Sequence, residues 1–84
     1  MTKIYFEDFE WDDFKNIMNI RKHGISFEEA SEVLFNHPYK IYRHDRLGEK
    51  RFIIKGRVFS GERVSVVITI RGNNIRIISA RREE

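Results

Sequence analysis

Eighty-four residues, of which 40% are hydrophobic and 35% charged, make a single small globular domain over residues 1–84 rather than a disordered chain. The absence of cysteine excludes a disulfide framework and a thiolate metal centre. Without an apolar run of ~18–20 residues or a signal-peptide pattern, the expectation is a cytoplasmic protein with no membrane partner. The net charge of +3 divides unevenly, with −4 over residues 1–39, +9 over 40–82 and −2 from the last two residues; the basic half suggests a polyanion partner, set against a merely solvated, salt-laced surface.

The first segment, KIYFEDFEW, carries Phe6, Phe9 and Trp11 and reads as a short strand around Phe9–Trp11. Asp12 is a good N-cap. Phe14, Ile17, Met18 and Arg21 follow at i, i+3, i+4 and i+7, with Ile20 beside them, the spacing of one face of an amphipathic helix. Gly24 stands where a left-handed residue ends a helix. The first helix is therefore expected over Asp13–His23. Ser26 and Glu29 make a capping box for a second helix, whose shared face holds Phe27, Ala30, Ser31 and Leu34 and which ends before Pro38.

The rest reads as strands. Tyr39–Arg43 is short, and HDRLGEK is a loop. Arg51–Phe59 alternates, with Phe52, Ile54 and Val58 on one side. Arg63–Arg71 alternates, with Val64, Val66, Ile68 and Ile70 inward. After the GNN turn, Ile75–Arg81 is the last strand. The order β-α-α-β-β-β-β implies an α+β fold, an antiparallel sheet with two helices packed on one face.

That architecture has a chemical consequence. The face away from the helices would display Arg51, Lys55, Arg57, Arg63 and Arg71, with Ile53, Val67 and Thr69 as a floor on which a base could rest. The alternative is that these cations only keep an open face soluble. His37 and His44 have no partner at ligand spacing, so neither a metal nor another cofactor is expected.

Four stretches, FEWDD, RKHGISFEEA, EKRFIIKG and IRIISARR, in this order and from Phe9 to Arg82, resemble the BrnT family of type II toxins. The resemblance implies a RelE-like α+β fold and an endoribonuclease that arrests translation by cutting RNA. It also implies a BrnA-like, ribbon-helix-helix antitoxin as partner. Operator DNA would be bound only through the toxin–antitoxin complex, which represses its own operon. Family members commonly continue past SARR into a basic helical tail; this sequence ends at Glu84, either because this member is short or because the sequence is truncated, and a missing tail would remove cationic contacts to RNA or antitoxin. Two other readings stand beside it: a non-catalytic nucleic-acid-binding module, and an antitoxin-binding domain that has lost activity.

Metal-independent RNA cleavage needs a base near the 2′-OH, cations on the phosphate and an acid for the leaving oxygen. Arg51, in EKRF, is the first candidate for a phosphate fork. Glu49 is a candidate base or a partner for Arg51, and Lys50 lies beside them. Arg81, at the end of a strand, is a further catalytic candidate. Lys22 and His23 are catalytic candidates on the rim, although a histidine at a helix C-terminus also has a structural reason to be there. Lys55, Arg57, Arg63, Arg71 and Arg82 are the expected RNA-binding residues. Phe9 and Trp11 are read as core rather than as stacking groups. Glu7, Asp8, Glu10, Asp12 and Asp13 would steer a basic antitoxin, or simply favour the helix start.

Overall fold

The computed structural model describes residues 8–83; Phe6 and Glu7, read above with the first strand and the acidic cluster, lie outside them. Its order is β1 (Asp8–Glu10), α1 (Asp13–His23), α2 (Phe27–Ser31), a 3-10 turn (Glu32–Phe35), β2 (Lys40–Arg43), β3 (Arg51–Arg57), β4 (Arg63–Arg71) and β5 (Asn74–Arg82).

The local signals act as their chemistry requires. The Asp12 carboxylate accepts from the Lys15 amide at 2.9 Å and opens α1. Gly24, at φ 69°, closes it, its amide donating to the Ile20 carbonyl. Ser26 Oγ accepts from the Glu29 amide at 3.0 Å and opens α2. The reciprocal arm of the expected box goes elsewhere, because the Glu29 carboxylate lies 3.6 Å from Arg82. The second helix is also shorter than expected, tightening into the 3-10 turn after Ser31.

The five strands form one sheet in the order β1-β5-β4-β3-β2. Three pairings are antiparallel, but β1 runs parallel to β5, with Phe9 opposite Ile75. The sheet is therefore mixed, a correction to the all-antiparallel expectation. Antiparallel neighbours follow one another directly in the chain, whereas β1 reaches β5 only after both helices and three strands have intervened.

One face of the sheet is the core. Ile54, Val64, Val66, Ile68, Ile75, Ile77 and Ala80 are buried against Ile25, Phe27, Ala30, Val33 and Leu34. Phe9 and Trp11 pack against this cluster. Phe9 meets Phe35 edge-on and Trp11 meets Phe27 edge-on. Gly56 lets β2 and the 3-10 turn close down, since a Cβ there would lie 2.9 Å from both Tyr39 Cβ and Val33 Cγ1.

Helix α1 departs from the expectation of two helices on one face. Its apolar stripe points outward: Phe14 is 70% exposed, Ile17 49% and Ile20 44%. The side turned inward carries Asn16 and Asn19, and Asn19 is buried. Asn16 Oδ1 accepts from the Phe27 amide at 2.8 Å. Asn19 Nδ2 donates to the Ile25 and Ala80 carbonyls, and its Oδ1 accepts from the Ala80 amide. Because β1 covers β5 only at residues 74–76, the outer edge of β5 beyond them needs another partner. Helix α1 supplies it through the Asn19 side chain, so it lies along a strand edge while α2 and the 3-10 turn cover the face.

Candidate RNA-binding face and catalytic groups

Cross-strand partners share a face of a sheet, so the register arranges the side opposite the helices into rows. At one end stand Arg57 and Arg63. Next come Lys40, Lys55, Ser65 and Arg81, one from each of β2 to β5. Tyr42, Ile53, Val67 and Ser79 form the middle row. Then come Arg51, Thr69, Arg76 and Glu10, with Arg71 beyond Thr69 on β4. The expected outward cations Arg51, Lys55, Arg57, Arg63 and Arg71 all lie on this face.

A bulge in β5 decides its contribution. Ile68 pairs with Ile77 and Val67 with Ser79, so Ile78 is the extra residue. Simple alternation would put Arg76 and Arg81, five positions apart, on opposite faces. The bulge brings both to the open side. It also turns Arg82 to the core side, where Nη2 donates to the Gly24 carbonyl at 2.7 Å and Nη1 pairs with Glu62 and Glu29. The side chain expected to bind RNA is thus engaged in pinning the α1–α2 corner to the sheet.

The expected catalytic residues fall into two groups. Arg51, Glu49 and Lys50 sit at the mouth of β3. Arg51 Nε donates to Glu49 Oε1 at 2.8 Å, and this half-buried pair aims the guanidinium across the face. Thr69, opposite Arg51, turns its hydroxyl away to the Lys50 carbonyl at 2.7 Å. Lys22, His23 and Arg81 meet with Arg82 and Glu83 around a shallow depression at the end of α1. Strand geometry puts Arg81 roughly 15 Å from Arg51, so one phosphate cannot engage both groups.

Three residues on this face escaped sequence reasoning. Arg76 donates to Glu10 Oε2 at 2.9 Å, the half-buried counterpart of the Arg51–Glu49 pair on the far side of Thr69. Tyr42 is exposed in the middle row, with Lys55 Nζ 5.9 Å from its ring centre. His44, set aside above for want of a metal partner, donates its amide to the Arg51 carbonyl at 2.8 Å and so flanks Arg51 at the sheet edge. Only the signal for Tyr42 was legible, as an aromatic in a strand beside basic residues; the other two depend on pairings between distant segments.

The loop after β2 is held by charge. Arg43 donates to both Asp45 oxygens, at 2.8 and 3.0 Å. That hydrogen bonding, with the Arg51 amide assisting, holds the Asp45 carboxyl below the usual carboxylate range. Among the described residues, no three His, Asp or Glu side chains gather as metal ligands would, and no helix is long and apolar enough to cross a membrane.

Comparison with known proteins gives this geometry a family. The crystal structure of the Brucella abortus ribonuclease toxin BrnT superposes with a TM-score of 0.74 at 22% identity, covering 92% of this chain and 96% of that one. At that identity the likeness concerns the fold. No curated relative matches the chain. The model of the family described as the ribonuclease toxin BrnT of type II toxin–antitoxin systems matches residues 11–84, and the chain therefore belongs to the BrnT family of ribonuclease toxins.

Proposed function

We propose that the protein is a RelE-like, metal-independent endoribonuclease whose substrate lies across the open face of the sheet. The observation that carries this reading is Arg51, held by Glu49 at the mouth of β3 and continuous with a face of Lys and Arg side chains. In the reaction, the ribose 2′-oxygen bonds to its own 3′-phosphorus as the P–O5′ bond breaks. The products are a 2′,3′-cyclic phosphate and a 5′-hydroxyl. One proton leaves the 2′-OH for a base, and one reaches the departing O5′. The charge that builds on the phosphate oxygens is what the Arg51 fork neutralises, an effect worth about 10²–10³-fold for a well-aimed donor.

Glu49 is committed to Arg51 and serves to orient it. His44, which flanks Arg51 at the sheet edge, is the candidate for proton transfer. Lys50 is a supporting cation at the strand mouth. Lys22, His23 and Arg81 form a second contact for the strand, as do Lys55, Arg57, Arg63 and Arg71. In the cell, cleavage would arrest translation. A BrnA-like ribbon-helix-helix antitoxin would neutralise the protein, and the complex would repress its own operon at operator DNA. Family membership supports the antitoxin as a partner class.

The test is incubation of the purified protein with RNA in EDTA. Cleavage that survives the chelator and falls at least about 100-fold in Arg51→Ala is the expected result. RNA bound but never cut would make the protein a non-catalytic binding module. RNA neither bound nor cut, with the antitoxin still bound, would leave an interaction domain without activity.

A further inference from the structure

The most electropositive part of the open face lies away from Arg51. A groove at the β2–β3 edge is lined by Lys40, Tyr42, Lys55, Arg57 and Arg63, with Glu83 as its one acidic residue among the described residues. Glu83 pairs with Lys55 at 3.7 Å, and four cations against this carboxylate leave the groove an excess of positive charge. Lys40 and Lys55 are direct cross-strand partners, as are Arg57 and Arg63. Like charges directly opposite each other are destabilising in a bare sheet, and an anionic ligand would relieve both pairs.

Tyr42 is the feature that cations alone do not explain. It is an exposed aromatic on an edge strand, opposite Ile53, with Val67 next in the same row. The three make an apolar step in an otherwise charged face. The Lys40–Lys55 row lies about 7 Å to one side of it, and the Arg51 row about 7 Å to the other. A flat aromatic and apolar step between two cationic rows suits a nucleobase whose flanking phosphates rest on those rows. Single-strand-binding proteins use this combination because every base has a π face.

We propose that Tyr42 is a base-stacking residue that selects unpaired RNA, seating one nucleobase between the Lys55 and Arg51 rows. The inference rests on the proposed binding of RNA to the open face and names the form in which RNA is taken. A base held in a duplex cannot reach the ring, so single strands are preferred. Tyr42 is a binding residue and takes no part in proton transfer.

A binding cycle with uncleavable 2′-O-methyl RNA tests it, so cleavage does not enter the readout. Wild type and Tyr42→Ala are each titrated with a short single strand, with the same strand made abasic at one position in turn, and with a matched duplex. Tyr42→Ala should weaken single-strand binding on the order of ten-fold. At one position, the abasic change should cost the wild type as much and the variant almost nothing. Tyr42→Phe should bind as wild type does. The dependence on salt should be unchanged in Tyr42→Ala and shallower in Lys55→Ala, since only the second loses a phosphate contact. Because Tyr42 is exposed, the melting temperature of each variant checks folding independently.

Equal binding of single strand and duplex would overturn the proposal. So would additive effects at every position, or a Tyr42→Phe variant as weak as Tyr42→Ala. An acidic peptide whose binding depends on Tyr42, when RNA binding does not, would give the groove to a protein partner and overturn it as well. A wild type that shows the coupling but cuts no RNA would end the ribonuclease reading and leave this one standing. A wild type that cuts RNA without the coupling would do the reverse, and one that binds no RNA would end both.

Discussion

Asn19 and Ala80, 61 residues apart, exchange two hydrogen bonds: Asn19 Nδ2 donates to the Ala80 carbonyl at 2.9 Å, and the Ala80 amide donates to Asn19 Oδ1 at 3.1 Å. A side-chain amide thus takes the place of a neighbouring strand beside β5, and a third bond, to the Ile25 carbonyl, ties in the corner after α1. Residue 19 is only 6% exposed, so water cannot substitute for any of the three.

Asn19→Ala should therefore cost about 3 kcal/mol, because buried backbone groups are left unpaired. Phe14→Ser, on the outward side of the same helix, should change stability by less than about 0.5 kcal/mol. Urea titration of both variants reads this directly. A Phe14→Ser penalty matching that of Asn19→Ala would mean that the apolar stripe, not the amide side, faces the protein.

Arg81 and Arg82 are adjacent in sequence and differ in role. Arg82→Ala removes the contacts to Gly24, Glu29 and Glu62 and should lower stability by about 1 kcal/mol, an amount discounted for partial exposure. It should leave the salt dependence of RNA binding unchanged. Arg81→Ala should leave stability nearly unchanged and lower the slope of log K against log salt by about 0.7, the value for one phosphate contact on a single strand. The opposite assignment of the two effects would show that the β5 bulge does not set these faces.

The Asp45 carboxyl is held low by Arg43. A carboxylate with a depressed folded-state pKa stabilises the fold above its unfolded pKa of about 3.9, and that stabilisation disappears as pH falls through the folded-state value. Asp45→Asn should thus melt slightly below wild type at pH 6, and the two should converge by about pH 2. A gap that widens on acidification would have the wrong sign for this pairing.

Gly56→Ala puts a methyl group 2.9 Å from Tyr39 Cβ and Val33 Cγ1. Because Val33 is wholly buried, relief requires moving the 3-10 turn or the start of β2. The expected cost is about 1–3 kcal/mol, read as a fall in melting temperature. An unchanged melting temperature would mean that this junction is loose enough to absorb a methyl group.

What the residues announce in advance is short-range. The Asp12 and Ser26 caps and the left-handed Gly24 act within four positions, and each is recognisable from the side chain at one position. The alternation of β3 and β4 has a period of two, so the outward set from Arg51 to Arg71 is readable along a single strand. The motif residues also identify the family, although they do not assign roles: the EKRF arginine and glutamate form one oriented pair, whereas one arginine of SARR faces outward and the next clamps a helix corner.

The amphipathic pattern of α1 misled because periodicity reports where apolar side chains are, not what they meet. A strand edge left bare by a three-residue partner demands hydrogen bonds, and Asn19 meets that demand better than Phe14 or Ile17 could. The sequence by itself determined the elements, their caps and the charge asymmetry, since these depend on consecutive residues. Only the tertiary structure decided that β1 runs parallel to β5, that one extra residue puts Arg76 and Arg81 on the same face, and that the candidate catalytic residues divide between two ends of that face. Each depends on pairing between segments far apart in the chain, where partners are chosen by backbone hydrogen bonds that every residue can make and no side chain encodes.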